Sequence, residues 1–296
     1  MSQPPGVPPA PEPGPALPQG DRRSRILSWH RQEGARGVWI AVASTIVLFT
    51  VLGVAIVNSP GWADFKSAFF DPTEFKDTFW EILQKFVTNI WVFLLAEVLV
   101  LLFGLLLAIL RSLPGPVFFP IRGLAIAYID IFRSLPTILV ILLFGLGFPG
   151  LQLGGVPTDP LFWGILSLVL VYSAYVAEVY RAGIESVHPS QDAAARSLGL
   201  SRLGSLHHVV VPQAVRRVVP PLLNDFIGLQ KDTALLSVIG VVEGLRQAGL
   251  NADADFNFTP YVALALIYVV ITIPLTRTTD WLIARERRRR QGTTLL

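Results

Sequence analysis

The 296-residue chain contains no cysteine. Disulfides, thiolate metal sites and cysteine nucleophiles are therefore excluded. Charge is scarce as well: Asp, Glu, Lys and Arg make up 15% of the residues, against about 25% in ordinary soluble domains. No Gly-x-x-x-x-Gly-Lys-Ser/Thr phosphate loop occurs anywhere, so the chain is expected to bind and hydrolyse no ATP of its own. Of the four histidines, His207 and His208 are adjacent and point to different faces of a helix. They cannot form the His-Glu-x-x-His pair of an intramembrane metalloenzyme. What remains is apolar: 52% of residues are hydrophobic and the mean hydropathy is +0.55. A soluble enzyme, a secreted disulfide scaffold and a wholly disordered chain are ruled out.

Long apolar runs then set the class. Val38 to Val57 is twenty residues without a charge. At about 1.5 Å rise per residue this crosses a hydrocarbon core of about 30 Å. Phe86 to Leu110 is apolar apart from Glu97. Gly123 to Phe148 is interrupted by Asp130, Arg133 and Pro136, and Leu161 to Tyr180 stays apolar until Glu178. Pro220 to Val242 carries Asp225, Lys231 and Asp232, and Thr259 to Ile283 holds Pro274 as an expected kink. The reading is an all-α polytopic membrane protein of six transmembrane helices. The first twenty residues hold eight prolines and almost no aliphatics, so residues 1–37 are expected to be a disordered tail ending in Arg22, Arg23, Arg25, Arg31 and Arg36. The first apolar run begins too late and runs too long for a cleaved signal peptide, so 38–57 is expected to be an uncleaved first helix. Residues 58–85 read as an outer loop whose aromatics, Trp62, Phe65, Phe69, Phe70, Phe79 and Trp80, anchor it at the headgroups.

Lysines and arginines orient the chain. With the N-terminus inside, the inner segments carry eighteen of the 24, the outer segments carry Lys66, Lys76, Lys85 and Arg246, and Arg133 and Lys231 lie within spans. Both termini are thus expected in the cytoplasm. The basic tail 285–296, with its run Arg287 to Arg290, reads as an anchor on anionic lipid rather than a nucleic-acid site.

The longest inner segment, Arg181 to Val219, is too polar to span and reads as two short helices. Gln191 to Leu198 is Ala-rich, Gly199 breaks it, Ser201 caps a second piece, and Pro212 is expected to end that piece. Within it stand Ala193-Ala194-Ala195, three residues, Gly199, nine residues, Val209, one residue, Val211-Pro212. This spacing resembles the Glu-Ala-Ala loop of bacterial ABC-importer permeases. Phe132 to Pro136, Tyr175 to Ile184, Arg196 to Gly199, Pro212 to Ala214 with Arg216, Pro220-Pro221 and Lys231-Asp232-Thr233 resemble the polar amino acid branch (histidine, glutamate, glutamine) of that family. The likeness covers about residues 86–284, a five-helix type I importer core; the tail and the first helix lie outside it. It implies that loop 188–212 is a coupling element docked in an ATPase subunit, with Asp192, Ala193, Ala194, Ala195, Gly199, Arg202, Val209 and Pro212 as its residues. One departure stands out: the family's leading Glu is Ala193 here. Either Asp192 substitutes for it, or docking uses the apolar face and arginines such as Arg196 and Arg202.

Ionisable groups inside a span cost several kcal/mol unless paired or hydrated, so each is a functional candidate. Asp130 and Arg133, three apart, can pair on one helix face, as can Glu178 and Arg181. The second pair reads first as structural. A zwitterionic amino acid needs a partner for its carboxylate and one for its ammonium. The candidate substrate pathway is Asp130, Arg133, Tyr172, Tyr175, Glu178, Lys231, Asp232 and Thr233, with Glu97 and Ser173 nearby in sequence logic. Neither a catalytic residue nor a metal ligand nor a cofactor is expected.

The reading is therefore a non-catalytic permease of the bacterial cell membrane, importing polar amino acids of the glutamate or glutamine type. The resemblance implies an ATPase pair, a second permease (paralogue or self, with a heterodimer favoured) and an external solute-binding protein, alongside membrane lipids and without nucleic acid. The alternatives are another small polar solute, such as a cationic amino acid or an opine, and a membrane anchor or signalling protein.

Overall fold

The computed structural model describes residues 35–293, and the proline-rich segment expected to be disordered lies almost wholly outside them. The described residues contain helices and no strand. The chain divides after Ala63 into two compact units. In the first, α1 (Ala35–Val57) is apolar on every face and largely exposed. Its 23 residues reach about 34 Å, enough to cross a bilayer. A helix apolar all round belongs in lipid or in a large core.

The second unit is built on α3 (Pro72–Arg111), a 40-residue helix preceded by the short α2 (Trp62–Phe69). Segment 58–85, expected as an outer loop, is thus mostly helical. The start signal is local: Asp71 accepts hydrogen bonds from the amides of Thr73 (2.8 Å) and Glu74 (3.2 Å), and Pro72 occupies the first turn, where its missing N–H costs nothing. α4 (Phe119–Ser134) and α5 (Thr137–Gly150) meet at Leu135-Pro136 with a bend of 103°. Proline cannot donate to the preceding turn and disfavours a helical residue before it. α6 (Pro160–Glu185) is capped by Asp159, which accepts from the Leu161 amide at 2.9 Å. After the surface helices α7 (Pro189–Ser197) and α8 (Arg202–Ser205), a π-helical turn (Leu206–Val210) leads into α9 (Val211–Asp232). A 3₁₀ segment (Thr233–Ile239) follows, then α10 (Gly244–Asp255) and α11 (Thr259–Thr293).

Pro212 does not end a helix. It sits in the first turn of α9, a place that tolerates proline, and the chain runs on helically from residue 206 to 232. Pro220 and Pro221 likewise lie inside α9. Among the described residues four helices are long and apolar enough to cross a membrane, and up to six crossings result if α4 with α5, and the α9 region with α10, each count as one.

The core lies where α3, α6, α9 and the 3₁₀ segment meet, around Val92, Phe93, Val100, Leu168, Val176 and Leu229. A second cluster (Ile82, Phe86, Ala248, Leu264, Ile267) packs the start of α3 against α10 and α11. One close approach depends on glycine. A Cβ on Gly183 would lie 2.0 Å from Cγ2 of Val218, where α6 touches α9. Gly183→Ala is therefore expected to cost about 1–3 kcal/mol through overpacking. A lower melting temperature in detergent, recovered by adding Val218→Ala, checks this; a melt equal to the parent's would refute it.

Candidate functional site

Two regions gather the polar residues. The first lies at the end of α9, where the α-helix tightens to 3₁₀ geometry at Lys231-Asp232-Thr233. Tyr172 of α6 donates its hydroxyl to Asp232 Oδ2 at 2.9 Å. Thr137, at the start of α5 just past the Pro136 break, lies beside the Asp232 side chain. One carboxylate thus ties α6 to the end of α9 beside the exposed Lys231. Thr233 is buried; its hydroxyl donates to the Gln230 carbonyl (2.8 Å) and accepts from Asn89 Nδ2 (3.2 Å).

Asn89 leads to a network absent from the sequence-based candidates. Its Nδ2 also donates to Glu243 Oε2 at 2.7 Å, and its Oδ1 accepts from the Gly244 amide at 3.0 Å. Glu243 is 1% exposed and caps α10, accepting from the amides of Leu245 and Arg246, both at 2.9 Å. A carboxylate at a helix N-terminus is held by orphan amides and by the helix dipole. Gln230, also 1% exposed, accepts from Thr272 of α11 through Oε1, while its Nε2 and the nearby Tyr268 hydroxyl are buried without a partner. The available signals were weak: one asparagine early in an apolar run, and Glu-Gly-Leu-Arg reading as an N-cap.

The second region is a cavity of about 330 Å³ lined by Arg133, Tyr175, Glu178, Arg217, Pro221 and Asp225 among others. Asp130 and Arg133 form no ion pair. The Arg133 guanidinium lies instead over the Tyr175 ring, 5.9 Å from its centre, and Tyr175 donates to the Arg133 carbonyl at 3.4 Å. Asp130 is exposed and is not among the residues lining this cavity. Glu178 is engaged on both oxygens: Arg111 bonds Oε2 at 2.7 Å, and Arg181 bonds Oε1 while also reaching Glu185. The expected Glu178–Arg181 pair is present and is tied to the end of α3. Asp225 lines this cavity, and its Oδ2 is buried without a hydrogen-bond partner among the described residues. Glu97 lies half-buried on α3, near enough to Asp225 for the two charges to act on each other.

Between α6 and α9 the chain makes the surface elbow. Ser201 caps α8, accepting from the Gly204 amide at 3.1 Å, as its sequence position suggested. His188 caps α7 through Nδ1, which accepts from the Ser190 amide at 3.2 Å. Gly199 has φ +91° between the two helices, a left-handed conformation that favours glycine. Ala193 and Ala194 are exposed, Ala195 is buried, Val209 is half-buried, and Pro212 and Arg202 face outward. At the base of the elbow the Arg217 guanidinium bonds the Ser186 carbonyl, joining the start of α9 to the end of α6.

Apart from the α3 residues Asn89, Glu97 and Arg111, both regions fall inside residues 117–288, which match a family model described as a binding-protein-dependent transport system inner membrane component. The chain is 36% identical over 199 residues to a probable glutamine ABC transporter permease of Bacillus subtilis, covering 65% of this chain and 88% of that one. It is 33% identical over 205 residues to a glutamate transport system permease of Corynebacterium glutamicum, covering 66% and 89%. A solved structure described as an amino acid ABC transporter with histidines superposes with a TM-score of 0.62 at 32% identity, covering 69% of this chain and 93% of that one.

Proposed function

Since the chain belongs to the binding-protein-dependent inner membrane component family, and is a multi-pass permease subunit of an amino-acid ABC importer rather than a catalyst, we propose that it moves glutamate or glutamine past the α9 break. The observation that carries this reading is the Tyr172–Asp232 hydrogen bond beside Lys231 at the end of α9. Asp232 is positioned to take the substrate ammonium and Lys231 its carboxylate, the two groups that every amino acid must exchange from water to protein. The α-helix gives way to 3₁₀ geometry at that point, and interruptions of this kind are where transporters place substrate groups against backbone dipoles. Arg133 and Tyr175, around the second cavity, serve the same path.

The elbow is the element through which a separate ATPase pair drives the movement. A short rigid helix in a socket follows the socket, and rigid-body rocking then alternates the access of the site. A second permease, more favourably a paralogue than a copy, completes the pathway. An external binding protein delivers the solute over residues 149–160 and 243–258. Both termini lie in the cytoplasm, on the eighteen-to-four split of basic residues.

A second reading rests on Asp225. Asp225 lines a cavity that also holds Glu178, and its Oδ2 has no hydrogen-bond partner among the described residues; a cationic side chain bound in that cavity would meet this carboxylate. Uptake into proteoliposomes containing the permease pair, the ATPase and the binding protein decides between them. Glutamine or glutamate uptake is expected, with lysine and arginine excluded. Preferential arginine uptake would replace the first reading with the second, and ATP hydrolysis without accumulation of any amino acid would sink both.

A further inference from the structure

The elbow departs from its family's pattern by having Ala193 where a glutamate is expected, with Asp192 as the nearest carboxylate. That carboxylate is turned inward. Asp192 Oδ1 accepts from the Ser205 hydroxyl at 2.6 Å, across thirteen residues and from α8 to α7. Ser205 is fully buried, and Asp192 is partly so. What the elbow shows outward is different. Leu198 is 87% exposed and Leu203 is 75% exposed, one on each side of the Gly199 turn. Arg196 and Arg202 are exposed beside them and have no ion-pair partner among the described residues. Two large aliphatic side chains standing this far out of a surface loop mark a contact face. The flanking cations, with no outward carboxylate from residue 189 to 205 to oppose them, state the charge of the surface that covers it.

We propose that Leu198 and Leu203, flanked by Arg196 and Arg202, dock this permease in an ATPase groove with an apolar floor and an acidic rim, and that Asp192 works inward, clamping α7 to α8 so that the two helices move as one body. This rests on the proposed coupling role of the elbow, and it reassigns the charge of the contact from anionic to cationic. Asp192 is a positioning residue here, acting through Ser205.

The roles separate by substitution in the full permease co-expressed with its ABC ATPase. Asp192→Asn keeps an oxygen that can accept from Ser205, yet removes the charge. It is expected to retain ATPase on affinity purification within about twofold of the parent, while Leu203→Ser and Arg202→Glu each lose at least tenfold. Asp192→Ala and Ser205→Ala are each expected to lower the uptake obtained per ATP hydrolysed by about fivefold. Combined, they should do no worse than either alone, the non-additivity of two groups that act as a unit. Because the chain has no cysteine, Leu203→Cys introduces a single thiol, and its crosslinking to the ATPase is expected next to an acidic residue. If Asp192→Asn releases the ATPase as fully as Arg202→Glu does, or if the Asp192→Ala and Ser205→Ala losses simply add, the inference fails. If the unaltered permease retains no ATPase at all, the coupling role itself has failed, which is a separate outcome visible before any variant is made.

Discussion

Glu243→Ala is expected to destabilise the permease by about 3–5 kcal/mol and to abolish uptake. The substitution takes the acceptor from three N–H groups: one of the two on Asn89 Nδ2, the other staying on Thr233, and the amides of Leu245 and Arg246. A buried donor stripped of its partner costs about 1–3 kcal/mol. The total falls in the lower half of the summed range because the start of α10 is reached by solvent at Arg246, which is less buried than Glu243. Glu243→Gln is expected to cost less but not nothing. Its amide can still receive one set of donors, whereas its NH₂ group then meets either the Asn89 NH₂ or a backbone N–H. The order Ala worse than Gln worse than parent, in thermal melts of purified protein, is the result to look for. A Glu243→Ala protein that melts with the parent would show that the network is not what holds α10 to α3.

The second large effect is on transport alone. Asp232→Ala removes the group to which Tyr172 donates and that is proposed to meet the ammonium. A hydrogen bond to a charged group contributes about 1.5–3 kcal/mol, so uptake is expected to fall by at least about tenfold, and by roughly a hundredfold if the contact tightens during translocation. Tyr172→Phe, which keeps the ring and removes the donor, is expected to show a smaller loss. Lys231→Ala is expected to raise the substrate concentration needed for half-maximal uptake, with ATPase assembly intact. Arg133→Ala should act in the same direction more weakly, since its guanidinium is held over Tyr175. Unchanged uptake kinetics in both the Lys231 and the Arg133 variants would remove the proposed pathway.

The apolar runs, the proline break at Leu135-Pro136, the Ser201 cap and the Gly199 turn were legible because each is a local signal. A span, a cap or a left-handed turn is specified by residues within one or two helical turns of one another. The start of α3 at Asp71-Pro72 was also local, yet it was obscured by the aromatic and charged composition of residues 58–85, which reads as surface. Pro212 misled because proline ends one helix and begins another with equal ease, and only the residues packed around it decide which. The polar pairs were the hardest. Asn89 and Glu243 lie 154 residues apart, and no pattern along the chain joins them. Asp130 and Arg133 had the right spacing to pair, but Tyr175 from another helix lies under the guanidinium instead.

The joint between α6 and α9 has a mechanical consequence. Val218 sits against Gly183, and the Arg217 guanidinium bonds the Ser186 carbonyl, so the two shafts that carry the elbow are pinned together at its base. They cannot splay when the elbow is pushed. A force applied at its tip is therefore expected to arrive as torque on one stiff frame, whose α9 shaft, 22 residues or about 33 Å long, ends at Asp232.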